Sequence, residues 1–291
     1  MPFDPHAVAD YVVTDPPLQD IECPAEHFVT HFISQDVPVH ALIWIAQGEQ
    51  AKGCVIISCQ AFGGDRLESL IIPLLNMGIS VMTFQPRGMW DREHEYSLIS
   101  ALDDLNAGVE FIRTADAAGK TTPNGKGYRI DPERIAVLGL SGAGGSVAFS
   151  SCAELDHVKY GIAIAPSNHE LFRDLNVDDV PTDWFSWLKS ESAGRIDVLT
   201  RLKGMTSGEI DRLSIIHNIP RLLSKKLLLI GATNDMPTPL KTCHIPIRNA
   251  FRDAGATNFT DIVLDSDHFF LTKRIALARI VTSWLRTECG F

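Results

Sequence analysis

Residues 134–148 read Arg134-Ile-Ala-Val-Leu-Gly139-Leu140-Ser141-Gly142-Ala143-Gly144-Gly145-Ser146-Val147-Ala148, and this stretch decides the fold. A short apolar run leads directly into a glycine-rich turn and then into small residues of helical character. Four consecutive apolar residues bounded by glycine fit a strand buried on both faces, as in a parallel sheet. The turn would present Ser141 at its apex, with small neighbours relieving the crowding where the helix nears the sheet. The Gly142 N–H would then lie at a helix N-terminus, where the peptide dipoles favour an anion. Other readings of these glycines fail. A dinucleotide-binding pattern beginning at Gly142 needs glycine where Val147 stands, and a phosphate loop ending at Gly119-Lys120-Thr121 needs glycine where Thr114 stands.

Working outward, further apolar runs occur at 54–58, 79–84, 160–165, 226–230 and 260–264, preceded by a strand pair at 27–33 and 37–46 joined at Gln35-Asp36. Between the runs, Leu98, Leu102, Leu105, Val109 and Ile112 share one face of a helix, and Leu277, Ile280, Val281 and Trp284 do so near the C-terminus. Strands alternating with helices predict an α/β fold with helices on both faces of the sheet. Residues 114–130 are polar and glycine-rich, a surface loop. Residues 167–220 hold no convincing sheet strand and read as a helical insertion.

The 291 residues carry 26 basic and 36 acidic side chains, a formal net charge of −10. Such a balance disfavours nucleic-acid and anionic-membrane partners, which need a basic field. No apolar run approaches the ~20 residues of a membrane helix. Residues 1–20 hold Asp4, Asp10 and Asp15 but no Lys or Arg, unlike a secretory leader. None of Cys23, Cys54, Cys59, Cys152, Cys243 and Cys289 forms a CxxC, so no zinc site or disulfide framework is expected. His94-Glu95 and His169-Glu170 begin a metalloprotease pattern, but Leu98 and Arg173 stand where its second histidine belongs. A cytoplasmic protein without metal or cofactor is expected.

Two further groups reach the edge of the sheet that carries Ser141. The run 226–230 is followed by Asp235, and the run 260–264 by Asp265-Ser266-Asp267-His268-Phe269-Phe270. Residues just beyond the ends of parallel strands lie at one edge, so Ser141, Asp235 and His268 converge there. The order Ser, Asp, His is that of the α/β-hydrolases. The chain resembles that superfamily, nearest its esterases and prolyl-oligopeptidase-like serine hydrolases. Four segments over roughly residues 27–285 carry the resemblance: Cys59-Gln60-Ala61-Phe62-Gly63-Gly64, Asp131-Pro132-Glu133-Arg134 with the serine turn, Asp235, and Asp267-His268-Phe269-Phe270.

The resemblance implies a mostly parallel eight-stranded sheet flanked by helices, its core formed by 1–166 and 221–291 around a helical cap, 167–220. It implies Ser141 as nucleophile, His268 as its base and Asp235 as the acid that orients the imidazole. Phe62 and Gly142 would supply backbone N–H groups to the oxyanion. Gln60-Ala61 replaces the family's His-Gly, Ala143 its last elbow glycine, and Gln85-Pro86-Arg87-Gly88 keeps Arg-Gly without the usual preceding acid. Gly231 and Ala232 both suit the glycine before the acid, which leaves the acid's alignment open, with Glu170 or Asp174 as alternatives. Trp184, Phe185 and Trp187 would lie in the cap. Trp184 and Trp187, sharing a helix face, would bind an apolar part of a small-molecule ester substrate. Three readings follow: an esterase; a peptidase or amidase, for which no stretch here reads as the oligopeptidase propeller; and a silent binding protein on the same fold. Self-association into a homo-oligomer is left open.

Overall fold

The computed structural model describes residues 12–15, 20–58, 67–89, 93–114, 130–173 and 205–291. Eight strands, β1 (Glu26–Ser34), β2 (Val37–Ile45), β3 (Lys52–Ser58), β4 (Ser80–Phe84), β5 (Ile130–Leu140), β6 (Tyr160–Ile164), β7 (Lys226–Asn234) and β8 (Phe259–Asp267), form one sheet in the order β1-β2-β4-β3-β5-β6-β7-β8. Only β2 runs against its neighbours; from β4 through β8 every pairing is parallel.

The apolar strands alternate between two buried layers. Leu227 and Leu229 of β7 face one layer with Ile56 and Val137, while Leu228 and Ile230 face the other with Ile57 and Leu138. The first layer is closed by α2 (Leu98–Arg113), α3 (Val147–Glu154), α5 (Ile215–Leu222) and α6 (His244–Asp253), and the second by α1 (Glu68–Asn76) and α7 (Arg274–Thr287). Both helical stripes expected from the sequence point inward. Leu102, Leu105, Val109 and Ile112 of α2 are buried, as are Leu277, Ile280, Val281 and Trp284 of α7. Ser97 starts α2, accepting from the Ser100 N–H while the Ser100 side chain accepts from the Ser97 N–H.

The β1–β2 turn places both Gln35 (φ 47°) and Asp36 (φ 63°) in the left-handed region, the geometry of a two-residue hairpin. Gln35 is tied to the interior by its own side chain. It donates to Asp103 at 2.8 Å and accepts from Arg87 at 3.0 Å. Arg87 in turn pairs with fully buried Asp104 at 2.8 Å.

Of the expected insertion 167–220, residues 174–204, including Trp184, Phe185 and Trp187, lie outside the described residues. Its described C-terminal part forms α4 (Ser207–Leu213) and α5. Positions 220 and 221 both lie within α5, whose Ile215, Ile219 and Leu222 are buried with Phe149 and Phe251 in the layer on the sheet. Arg212 anchors α4 to that layer through Asp103 and Glu154, each at 2.7 Å.

Candidate active site

β5 ends at Leu140, and Ser141 follows with φ 67° and ψ −173°. A side chain held in that region costs on the order of 1–3 kcal/mol, which the surrounding packing must offset. A wide turn, Gly142–Ser146, then feeds α3. The glycines let the turn press onto the sheet. A Cβ on Gly139 would lie 2.2 Å from the carbonyl carbon and oxygen of Gly144, and one on Gly144 would lie 2.8 Å from the Ser58 carbonyl oxygen. The close approach of turn and sheet is made by Gly139 and Gly144. Ala143 instead packs beside Tyr96 and Ala101. Ser141 is left 9% exposed.

β7 and β8 run to Asn234 and Asp267, which are partners across the ladder. Asp235 and His268 therefore leave adjacent strands side by side. His268 Nδ1 lies 2.9 Å from each carboxylate oxygen of Asp235. Of the acids the sequence offered, Asp235 is thus the one beside His268. Both side chains are buried, so little water competes for the bond. The neighbouring carboxylates are committed elsewhere. Asp267 accepts the Phe269 N–H at 2.8 Å, and Asp265 accepts the Thr233 hydroxyl at 2.7 Å. Glu170, the alternative acid, pairs with Arg173 at 2.8 Å and accepts from Ser214, and the Arg173 guanidinium holds it below the usual carboxylate range. The other alternative, Asp174, lies outside the described residues, as does Phe62.

The structure adds a residue that the sequence reading passed over. The Thr238 N–H donates to Asp235 Oδ1 at 2.7 Å, and its hydroxyl lies 2.8 Å from Asp235 Oδ2 and 3.0 Å from the Ala165 carbonyl oxygen. The same hydroxyl is 3.3 Å from His268 Nδ1. Ala165 presents that carbonyl from a left-handed conformation, φ 47°, just past the end of β6. Thr238 thus holds the carboxylate through its backbone N–H, while its one hydroxyl proton is shared between Asp235 Oδ2 and the Ala165 carbonyl. A threonine three residues after an aspartate was the available signal, since this spacing lets the carboxylate accept a backbone N–H.

Gly142 faces the loop after β6, where a Cβ on it would lie 2.5 Å from Ser167 Oγ. Ser146 donates to the Ser167 carbonyl at 3.0 Å and so ties that loop to the serine turn. Among the described residues, no group of three or more His, Cys, Asp or Glu side chains could hold a metal ion.

Two other histidines are buried nearby. Burial pushes His169, after β6, and His244, at the start of α6, each down to about 4. Both are neutral in the folded chain and take up protons in the unfolded chain near pH 6.5. The unfolded state therefore binds more protons between pH ~6.5 and ~4, so stability falls as pH drops through that window, by on the order of 3 kcal/mol for each histidine. Urea midpoints between pH 7 and 4.5 should show this loss, and His244→Gln should flatten the slope.

No family model matches the sequence, and no curated protein matches it. Solved structures do match the fold. The esterase from the archaeon Pyrobaculum calidifontis aligns with a TM-score of 0.65 at 16% identity, over 92% of this chain and 88% of that one. A 2,6-dihydroxy-pseudo-oxynicotine hydrolase aligns with a TM-score of 0.64 at 19% identity, over 93% and 70%. An acylaminoacyl peptidase from Pyrococcus horikoshii aligns with a TM-score of 0.62 at 15% identity, over 91% of this chain but 41% of that one. The chain thus spans about two fifths of the length of that peptidase. Among the described residues no helix is long and apolar enough to cross a membrane. With one antiparallel strand beside seven aligned ones and a strained serine turn after the fifth, this chain has the α/β-hydrolase fold.

Proposed function

We propose that the protein is a serine hydrolase that cleaves small carboxylic esters through an acyl-enzyme. The observation that carries this reading is the buried His268–Asp235 pair at the strand edge that also bears Ser141 in a strained turn. In this mechanism His268 takes the Ser141 proton at Nε2 as the oxygen attacks the ester carbonyl. Asp235 accepts from Nδ1–H, selects that tautomer and stabilises the imidazolium that forms. The Gly142 and Phe62 N–H groups bind the tetrahedral oxyanion, each worth on the order of 3 kcal/mol in such a site. His268 then returns its proton to the departing alcohol, and water activated by the same imidazole releases the acid.

The ester reading is supported by the fold match to the Pyrobaculum esterase, over 92% of this chain. Nitrophenyl esters and the corresponding nitroanilides decide between the ester and amide readings. We expect the esters to be turned over with the higher kcat/KM. A faster anilide would make the protein an amidase, and turnover of neither would make it a binding protein. Trp184 and Trp187 are assigned to the apolar acyl pocket, so Trp184→Ala or Trp187→Ala should shift chain-length preference across a C2-to-C12 series. The described cysteines are all free thiols, which supports a reducing, cytoplasmic setting.

Thr238→Val removes the hydroxyl but keeps the shape and the backbone N–H. A hydrogen bond to a charged group is worth about 1.5–3 kcal/mol, so kcat should fall roughly 10- to 100-fold with KM little changed. Thr238→Ser should restore most of it. Steady-state kinetics on both variants check this.

A further inference from the structure

We propose that the outer face of the β1–β2 hairpin binds a divalent transition cation between His31 and His40. The two residues are direct partners across the antiparallel ladder, and both are exposed. Partners across a ladder project on the same face, so the two imidazoles leave the sheet on one side from adjacent strands.

The type of pair brings them closer still. The two-residue turn makes Ser34 and Val37 the closing hydrogen-bonded pair, and the ladder alternates from there. Ile33 with Pro38 is a non-hydrogen-bonded pair, consistent with a proline that has no N–H to give. Phe32 with Val39 is bonded, and His31 with His40 is again non-bonded. An independent contact agrees: the His40 carbonyl turns away from β1 and accepts the Gln85 N–H at 2.9 Å on the other side. In non-bonded pairs the Cα atoms approach to about 4.5 Å, closer than in bonded ones. From there two imidazoles can each bring one nitrogen to the ~2.0–2.1 Å that a zinc ion requires.

Imidazole ligands suit Cu²⁺, Ni²⁺ and Zn²⁺ and not Mg²⁺ or Ca²⁺. The third histidine of this face, His27, sits four residues along β1 opposite Trp44, about 13 Å away at strand rise, too far to join the chelate. Water completes the coordination. The flanking side chains on β1 are apolar, with Val29 75% and Ile33 58% exposed. The site is separate from the serine turn, because β1 and β5 are four strand spacings apart, about 19 Å. It does not depend on the proposed esterase activity.

The test uses the untagged full-length protein, titrated calorimetrically with ZnCl₂ and NiCl₂ and melted with and without each ion. Wild type should bind one ion per chain and melt higher with it, because a bridge between two strands exists only in the folded state. His31→Ala and His40→Ala should each weaken binding by at least about tenfold and abolish the melting shift. The double variant should be no weaker than either single, since losing one ligand already destroys a two-point chelate. His27→Ala should bind as wild type does. Near-wild-type binding in either single variant, losses that add independently, or an equal loss in His27→Ala would overturn the proposal. Unchanged circular dichroism of the metal-free variants separates loss of the site from loss of the fold.

Discussion

Replacing Ser141 by alanine is expected to lower ester kcat by roughly 10⁶-fold while leaving a folded protein. In the proposed mechanism the serine oxygen forms the acyl bond, and neither Ser146 nor Ser150 is placed to stand in for it. Ser146 is fully buried and donates to the Ser167 carbonyl, and Ser150 is buried within α3. Alanine can take the same place because the strain at φ 67° arises from the Cβ, which serine and alanine share. A fluorophosphonate probe should label wild type stoichiometrically on the peptide containing Ser141 and leave Ser141→Ala unlabelled. Label on Ser146 or Ser150 would refute the nucleophile.

The second large effect concerns the acid. Asp235→Asn should cost about 10⁴-fold in kcat, because an amide nitrogen facing Nδ1 holds the imidazole in the wrong tautomer and cannot balance its positive charge. The Thr238 N–H, 2.7 Å from Oδ1, favours the amide oxygen there and so puts the amide nitrogen in the place of Oδ2, which lies 2.9 Å from Nδ1. Glu170→Gln is the control. Glu170 is spent on Arg173 and Ser214, so its loss should loosen the joint with α4, where Arg173 also reaches Asp211 at 2.8 Å, and leave kcat nearly intact. A severe Glu170→Gln beside a mild Asp235→Asn would move the acid to the loop after β6.

Much of the architecture is legible in local pattern. The buried runs at 54–58, 160–165 and 226–230 became β3, β6 and β7 because continuous apolar residues satisfy both faces of a parallel sheet. The stripes on α2 and α7 were equally plain, since each needs only one buried face. Helix α1 gave contrary local signals: Pro73 lies inside it, and Leu67 at its start adopts a left-handed conformation. Burial of Leu70, Ile71 and Leu74 against the sheet outweighs both, and that compensation is visible only in three dimensions.

The site divides in the same way. Its residue types, their order and their shared sheet edge follow from the chain alone, because a parallel strand ends at a known edge whatever its neighbours are. Which carboxylate meets His268 does not follow from the chain. That depends on register, here the pairing of Asn234 with Asp267, and on Arg173 taking Glu170 out of competition. Thr238 gains its role only when the Ala165 carbonyl, seventy-three residues earlier, is brought within 3.0 Å of its hydroxyl. The sequence by itself determined which side chains reach the edge, through periodicity and strand direction. Tertiary structure decided which of them touch, because contacts a few ångströms long between distant segments depend on packing that no local pattern encodes.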